Sequence, residues 1–185
     1  MARSLAIRGA TIVSLDPQIG VIDEGLLIVE GDRIHEVGPD TGNSPDTDEV
    51  IEGKDRVVIP GFINAHMHAR PARALGDGLP VPDWHVRYAD GVSRVIEDKD
   101  SRTGALLAFG ECLLNGFTSV MAMPVKPQGC FRGAVDIGIR ACISPHASDN
   151  PDFDGTSDTY EDNLSLIQRC GTSPDGRVQS WLGYD

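Results

Sequence analysis

The sequence predicts an α/β protein in two parts, and three observations support this fold class. Residues 1–58 carry short apolar runs separated by turn residues, a pattern typical of a small antiparallel β unit. After Pro60, segments of strand character alternate with segments of helical character, and this order indicates a parallel sheet with helical crossovers. The chain has 185 residues, of which 40% are hydrophobic and 24% charged, so it is long and apolar enough to bury a core.

The first part is predicted to consist of short strands joined by turns. Gly31-Asp32 predicts a tight turn between two strands, and residues 39–49, which contain two prolines and three aspartates, predict a polar loop. The apolar runs are Leu5–Ile7, Thr11–Leu15, Leu26–Val29, Arg33–Val37 and Arg56–Ile59.

The second part, residues 59–185, is predicted to contain four strands with helices between them. Ser101 and Gly116 are placed to begin and end the first helix. A barrel of eight β/α units takes about 250 residues, and this segment supplies about half of that length, so we expect the N-terminal part of a truncated (β/α)8 barrel. We predict strands at 61–68, 117–123, 139–144 and 177–184, helices at 101–115, 131–138 and 160–170, and a long Gly/Pro loop at 70–83.

The charge balance excludes several classes of partner. The sequence has 16 Lys and Arg against 28 Asp and Glu, a formal net charge of −12, whereas nucleic-acid binding needs clustered cations. No apolar run approaches the roughly 20 residues that cross a bilayer, and Arg8, Gly9 and Asp16 interrupt the first segment before the apolar core of a secretory signal can form. We therefore expect a cytoplasmic protein that binds neither nucleic acid nor a membrane.

The cysteines give no sign of a metal or redox motif. They are far apart and form no Cys-x-x-Cys pair, so we expect reduced and buried thiols rather than a zinc knuckle or a redox dithiol. The four are Cys112, Cys130, Cys142 and Cys170.

The most specific chemical feature is the segment PGFINAHMH at residues 60–68. Two imidazoles on one strand face, at the carboxyl end of the strand and before a loop, are placed to bind one divalent metal. The alternative is a pair of unrelated histidines on the surface or in the core, but the preceding Pro-Gly and the β/α segments that follow favour a metal pair. Since side chains alternate along a strand, one face is predicted to carry Phe62, Asn64, His66 and His68, and the face that packs on the helices to carry Ile63, Ala65 and Met67.

Three segments together resemble the amidohydrolase superfamily of metal-dependent hydrolases. They are GLLIVEGDRIHEVG, VVIPGFINAHMH and GALLAFGECLLNGFTSVMAM, and GLPVPDW resembles the cytosine-deaminase-like and chlorohydrolase-like branch. The resemblance implies a (β/α)8 TIM-type barrel at residues 59–185, preceded at residues 1–58 by part of a small β-sandwich that is built from both chain ends. It also implies hydrolysis of non-peptide carbon–nitrogen bonds, with deamination or dechlorination of a heterocyclic amidine.

The resemblance further implies one divalent metal ion, zinc or iron, held by His66 and His68 and by two further histidines and an aspartate after later strands. Those later ligands lie outside this sequence, so we assign no catalytic residue here and expect this chain alone to be inactive. Some members bridge two metals with a lysine on the fourth strand. The only lysines here are Lys54, Lys99 and Lys126, and none of them lies in the fourth predicted strand, 177–184. A single metal is therefore expected.

Two residues are weaker candidates for substrate binding. Trp84 lies on the loop after the histidine pair, where it could form a wall of the pocket or anchor the loop. His146 follows the third barrel strand on the side where barrel active sites lie, although a solvent-facing loop histidine is the simpler interpretation. Glu111 is interpreted as a solvated residue of the first helix.

Alternative functions remain open at this point. The same fold could hydrolyse a cyclic amide or remove an N-acyl group. A non-catalytic half-barrel that pairs with another chain is the alternative from a different class. For the enzyme we expect a small heterocyclic substrate and, when the chain is complete, a homo-oligomer.

Overall fold

A computed structural model describes residues 3–43, 45–69, 95–145 and 160–183 of the chain. The chain forms two compact units, Met1–Pro60 and Gly61–Asp185, and each is described by itself. No helix within the described ranges is long and apolar enough to cross a membrane.

The first unit is a five-stranded sheet with the strand order β3-β2-β1-β4, and β5 also pairs with β1. The β1–β2 and β2–β3 pairs are antiparallel, whereas β4 and β5 run parallel to β1. The prediction of a purely antiparallel unit is therefore wrong for the last two strands, because the chain crosses from β3 to the far side of β1 before β4 begins. The strands are β1 Ser4–Val13, β2 Val21–Glu30, β3 Arg33–Pro39, β4 Glu49–Glu52 and β5 Val57–Val58.

Two carboxylates attach this crossover to β1. The Arg8 guanidinium donates two hydrogen bonds of 2.9 Å to the Asp40 carboxylate, and the backbone N–H of Ser4 donates one of 2.7 Å to Asp48. The backbone N–H of Gly42 and the Arg8 side chain both lower the pKa of Asp40. The polar loop that the sequence predicts is thus held to the sheet by charge-assisted hydrogen bonds.

The second unit is a sheet of four parallel strands in the order β6-β7-β8-β9, with helices in the connections. This arrangement confirms the predicted parallel sheet with helical crossovers. The elements are β6 Phe62–Met67, α1 Asp98–Leu114, β7 Phe117–Ala122, α2 Pro127–Ile137, β8 Arg140–Ile143, α3 Tyr160–Arg169 and β9 Val178–Ser180.

The first helix starts earlier than predicted. The backbone N–H of Glu97 donates to the Asp100 carboxylate at 3.0 Å, which satisfies a donor before the first turn, and α1 begins at Asp98. Ser101 is therefore not the N-cap that the sequence predicted. Its hydroxyl donates instead to the carbonyl oxygen of Val125, at 2.8 Å. The predicted helix end is confirmed, because Gly116 follows α1 with a φ of +82°.

The core of the second unit lies between the sheet and the helices. Helices α1 and α2 approach closely because Gly133 faces α1, where a Cβ would lie 2.8 Å from the Cβ of Ala105. The buried cluster combines small residues of the helices with apolar strand residues: Ala69, Ala105, Ala108, Phe109, Val120, Ala122, Cys130, Phe131, Ala134, Ile139, Ala141, Ile143 and Val178.

Candidate metal site

Strand β6 carries His66 and is followed directly by His68, and it does not keep a regular alternation of faces. Asn64 pairs with Val120 and Met67 with Ala122, so three residues of β6 span the length of two residues of β7. This extra residue is a β-bulge, and it places Asn64 and Met67 on the same face as the buried Val120 and Ala122.

The bulge corrects part of the predicted face assignment. Met67 packs against the helix-facing core, as predicted, and its sulfur lies 3.9 Å from the Cys112 sulfur of α1. Asn64 shares that face with Met67 rather than the face predicted for it. Ile63 and Ala65 do not pack on the helices, because Ile63 is 73% exposed and Ala65 is also exposed. The register of β6 with β7 shifts on both sides of Ile63 and Asn64, which breaks the period of two.

The structure brings the two predicted metal ligands together at the carboxyl end of β6. The ring centroids of His66 and His68 lie 5.0 Å apart, with an interplanar angle of 88°. Both residues are exposed. The backbone N–H of His66 donates to the Asn64 side-chain oxygen at 3.3 Å, a local contact that spans the bulge.

The ring of His68 is oriented by the strand next to it. Its Nδ1 lies 3.0 Å from the carbonyl oxygen of Met123, the first residue after β7. Since a carbonyl oxygen can only accept, Nδ1 carries the proton in the neutral ring, and the lone pair is then on Nε2. Histidines that bind metals through one nitrogen commonly donate the other N–H to a carbonyl in this way.

The donor set fits a divalent metal in part. Neutral imidazoles suit zinc and iron, but a zinc site takes three or four protein ligands. Within the described ranges no group of three or more His, Cys, Asp or Glu could hold a metal ion. Alone, the two histidines provide fewer ligands than such a site takes.

A cleft of about 380 Å³ lies beside His68, between the end of β6 and helix α1. His68, Asn64 and Met67 line it from the strand, and Glu111 and Cys112 line it from the helix. Glu111 is exposed, as the sequence analysis expected, but its place on the same cleft as His68 was not anticipated. The sequence could not have predicted this, because a single helix residue that lies opposite the end of a strand follows no distinctive sequence pattern.

The other candidates can be placed as follows. Trp84 and His146 lie outside the described residues. All four cysteines lie inside them and form no disulfide. Cys130 is buried, and burial raises the pKa of its thiol, as it also does at Cys142 and Cys170. The expectation of buried thiols is confirmed only for Cys130, because Cys112, Cys142 and Cys170 are partly exposed.

Comparisons with known proteins identify a family and several relatives. The model of the amidohydrolase family matches residues 57–183. The 5-methylthioadenosine/S-adenosylhomocysteine deaminase 1 of Archaeoglobus fulgidus is 36% identical over 136 residues, which are 71% of this chain and 32% of the deaminase. The 5'-deoxyadenosine deaminase of Methanobrevibacter smithii is 28% identical over 162 residues, 86% of this chain and 37% of that enzyme.

A solved structure shows the same fold. The zinc complex of the atrazine chlorohydrolase of Arthrobacter aurescens superposes with a TM-score of 0.81 at 22% identity, covering 97% of this chain and 46% of the chlorohydrolase. The chain thus spans less than half the length of these relatives. Its parallel sheet corresponds to part of a (β/α)8 barrel, as predicted. On the match to residues 57–183, the chain belongs to the amidohydrolase family.

Proposed function

We propose that the complete protein is a metal-dependent hydrolase that acts on non-peptide carbon–nitrogen bonds and deaminates or dechlorinates a heterocyclic amidine. The observation that carries this proposal is the pair of imidazoles, His66 and His68, at the carboxyl end of a parallel strand in a chain of the amidohydrolase family. Active sites of β/α barrels lie at this end of the strands.

The metal is proposed to be a single zinc or iron ion. His66 and His68 would hold it, and because Nδ1 of His68 contacts the Met123 carbonyl, Nε2 would be the nitrogen that binds the ion. A bound divalent ion would lower the pKa of a water molecule that attacks the ring carbon. The zinc complex of the atrazine chlorohydrolase supports this choice of metal.

The proposed substrate class follows from the relatives. Two of them are named as deaminases of adenosine derivatives and one as a chlorohydrolase of atrazine. Aminopurines and chlorotriazines share a ring carbon that is bonded to nitrogen and carries a leaving group. We therefore rank aminopurine nucleosides first, followed by chlorotriazines.

Activity of the 185-residue chain alone is a separate question. The two histidines provide fewer ligands than a catalytic site needs, so we propose that this chain by itself is inactive. Elemental analysis that finds a tightly held, stoichiometric metal on the isolated chain would contradict this.

The first step of the test is to read the coding sequence beyond the codon for Asp185. The function is then tested on the complete product of the gene. The purified protein is offered aminopurine nucleosides, aminopyrimidines, chlorotriazines, cyclic imides and N-acetyl compounds. Release of ammonia or chloride supports the proposal. Turnover of the imides or N-acetyl compounds alone would favour a cyclic amide hydrolase or a deacetylase instead.

A second candidate function is a half-barrel that pairs with another chain. In the described part of the sheet, β6 and β9 each have one pairing strand, and large apolar residues are exposed at both outer edges: Phe62 50%, Ile63 73%, Trp181 46% and Leu182 56%. Exposed sheet edges of this kind are normally paired or covered. Light scattering on the 185-residue chain distinguishes the two: a stable dimer favours pairing, and a monomer or an aggregate argues against it.

A further inference from the structure

We propose that Ser101, a buried residue of helix α1, is a positioning residue for His68. It would act through the short segment between β7 and α2, residues 123–126, and so fix which nitrogen of the His68 ring faces the metal. This inference rests on the proposed function, because it gives His68 the role of a metal ligand.

The first link is the hydroxyl of Ser101. The residue is 0% exposed, and its Oγ donates to the carbonyl oxygen of Val125 at 2.8 Å. The two residues are 24 positions apart in sequence, so this bond joins a helix to a different connection. The Val125 carbonyl is only partly buried, so losing this donor leaves the carbonyl to other partners and leaves Val125 less firmly held.

The second link is the stiffness of the connection itself. Pro124 is fully buried, its ring fixes its own φ, and it restricts Met123 to extended conformations. Lys126 then takes a left-handed conformation with a φ of 56°, and α2 begins at Pro127. A bond that holds Val125 therefore also limits the position of Met123, two residues away.

The third link is the double contact of Met123 with the end of β6. Its N–H donates to the carbonyl of Met67 at 3.0 Å, and its own carbonyl accepts from Nδ1 of His68 at 3.0 Å. One residue thus fixes the backbone before His68 and the ring of His68 together. The N–H bond belongs to the pairing of β6 with β7, which resumes at Met67 and Ala122 after the bulge, and the bond to the ring extends this support to His68.

The sequence offers a matched control two residues along the same helix. Thr103 also has a hydroxyl that donates to a backbone carbonyl, but the acceptor is Lys99 of the same helix, at 2.9 Å, and Thr103 is exposed. Removing this hydroxyl takes away a similar bond without touching the connection to His68. The pair of variants is therefore Ser101→Ala and Thr103→Ala.

The test uses the complete gene product with two readouts. In the metal-free protein, nitrogen-15 NMR of the histidine rings reports which nitrogen of His68 carries the proton. Competition with a chromophoric chelator measures the affinity for zinc. We expect Ser101→Ala to convert the Nδ1-protonated ring into a mixture of tautomers and to weaken zinc binding by about tenfold or more. Thr103→Ala should change neither.

The outcomes separate this inference from the proposed function. If the unaltered protein binds neither zinc nor iron, the proposed function fails, while the tautomer measurement still tests the link from Ser101 to His68. An unchanged tautomer and an unchanged zinc affinity in a folded Ser101→Ala protein would overturn the inference. Pro124→Ala, which loosens the same connection, is the second variant and should give the same two changes. Loss of folding in both would assign the two residues to stability alone and overturn the positioning role.

Discussion

Strands β6 and β8 both pair with β7, but they differ in how regularly their side chains alternate between the two faces of the sheet. In β8, Ala141 and Ile143 are buried in the helix-facing core, and Arg140 and Cys142, which alternate with them, are more exposed, so the period of two holds. In β6, a bulge and a second register shift break that period, and Ile63 is 73% exposed. The regular strand contributes to the core, and the irregular one presents two histidines. Such irregularities are often found next to active sites, which agrees with the metal site that we propose at this strand end.

The largest stability effect should come from exchanging one isoleucine in each strand for alanine. Ile143 of β8 is 0% exposed, so Ile143→Ala should lower the free energy of unfolding by about 2–5 kcal/mol. Ile63→Ala, the matched change in β6, should alter it by less than about 0.5 kcal/mol. Urea unfolding of both variants checks this. Equal losses would mean that β6 is buried like β8 and would break the comparison.

The close approach of β6 to β7 can be tested at Gly61. A Cβ on Gly61 would overlap the side chain of Thr118, with 2.8 Å to the Thr118 Cβ, so Gly61→Ala should cost about 1–3 kcal/mol. Gly38 of β3 is the control, because a Cβ there meets nothing within 4 Å. Thermal unfolding should show a lower midpoint for Gly61→Ala and little change for Gly38→Ala. A neutral Gly61→Ala would contradict the register described for these two strands.

A pH-dependent effect is expected in the turn that leads into β9. The Ser173 hydroxyl, together with the backbone and side chain of Arg177, lowers the pKa of Asp175 from 3.8 to about 2. A lowered carboxyl pKa stabilises the folded state above 3.8, and this contribution is lost as the pH falls through about 2. Asp175→Asn should therefore be less stable than the unaltered chain near neutral pH, and the difference should shrink as the pH is lowered below 3.8. Urea unfolding across that range measures it, and a difference independent of pH would contradict the assignment.

The smallest effect is expected at Ser144, directly after β8. This residue is 0% exposed, and its Oγ has no hydrogen-bond partner in the described part of the chain. Ser144→Ala removes a buried hydroxyl without orphaning a partner, so stability should be unchanged or rise by up to about 1 kcal/mol. A clear loss of stability in calorimetry would show that the hydroxyl has a partner in the folded protein.

The sequence predicted the elements of the second unit, and for several of them it also predicted both ends to within one residue. The predicted strand 117–123 is Phe117–Ala122 and the predicted helix 160–170 is Tyr160–Arg169, because apolar period and punctuation by glycine mark such elements well. The second helix was expected at 131–138 but begins at Pro127. Proline is favourable at the first helical position, so Pro127 starts the helix.

The features of the candidate site also differ in how far the sequence predicted them. The His-x-His pair carries a side-chain signal and could be found from the sequence. The support for His68 could not, because the group that orients the ring is the backbone carbonyl of Met123, which every residue type possesses. In the sequence Ser101 resembles a helix cap, because it is a serine at the start of a helical segment. Its acceptor in the structure, the Val125 carbonyl, is 24 positions away, so no local pattern predicts this bond. The bulge in β6 was equally hidden, since no local residue marks it.

The central claim is that His66 and His68 hold a metal ion, and the most direct measurement is the metal content and zinc affinity of the complete gene product. The double variant His66→Asn, His68→Asn is compared with His35→Asn, a change at an exposed histidine of β3. We predict about one metal ion per chain in the unaltered protein and in His35→Asn, and a loss of affinity of at least about 100-fold in the double variant. Unchanged zinc binding by a folded double variant would contradict the account.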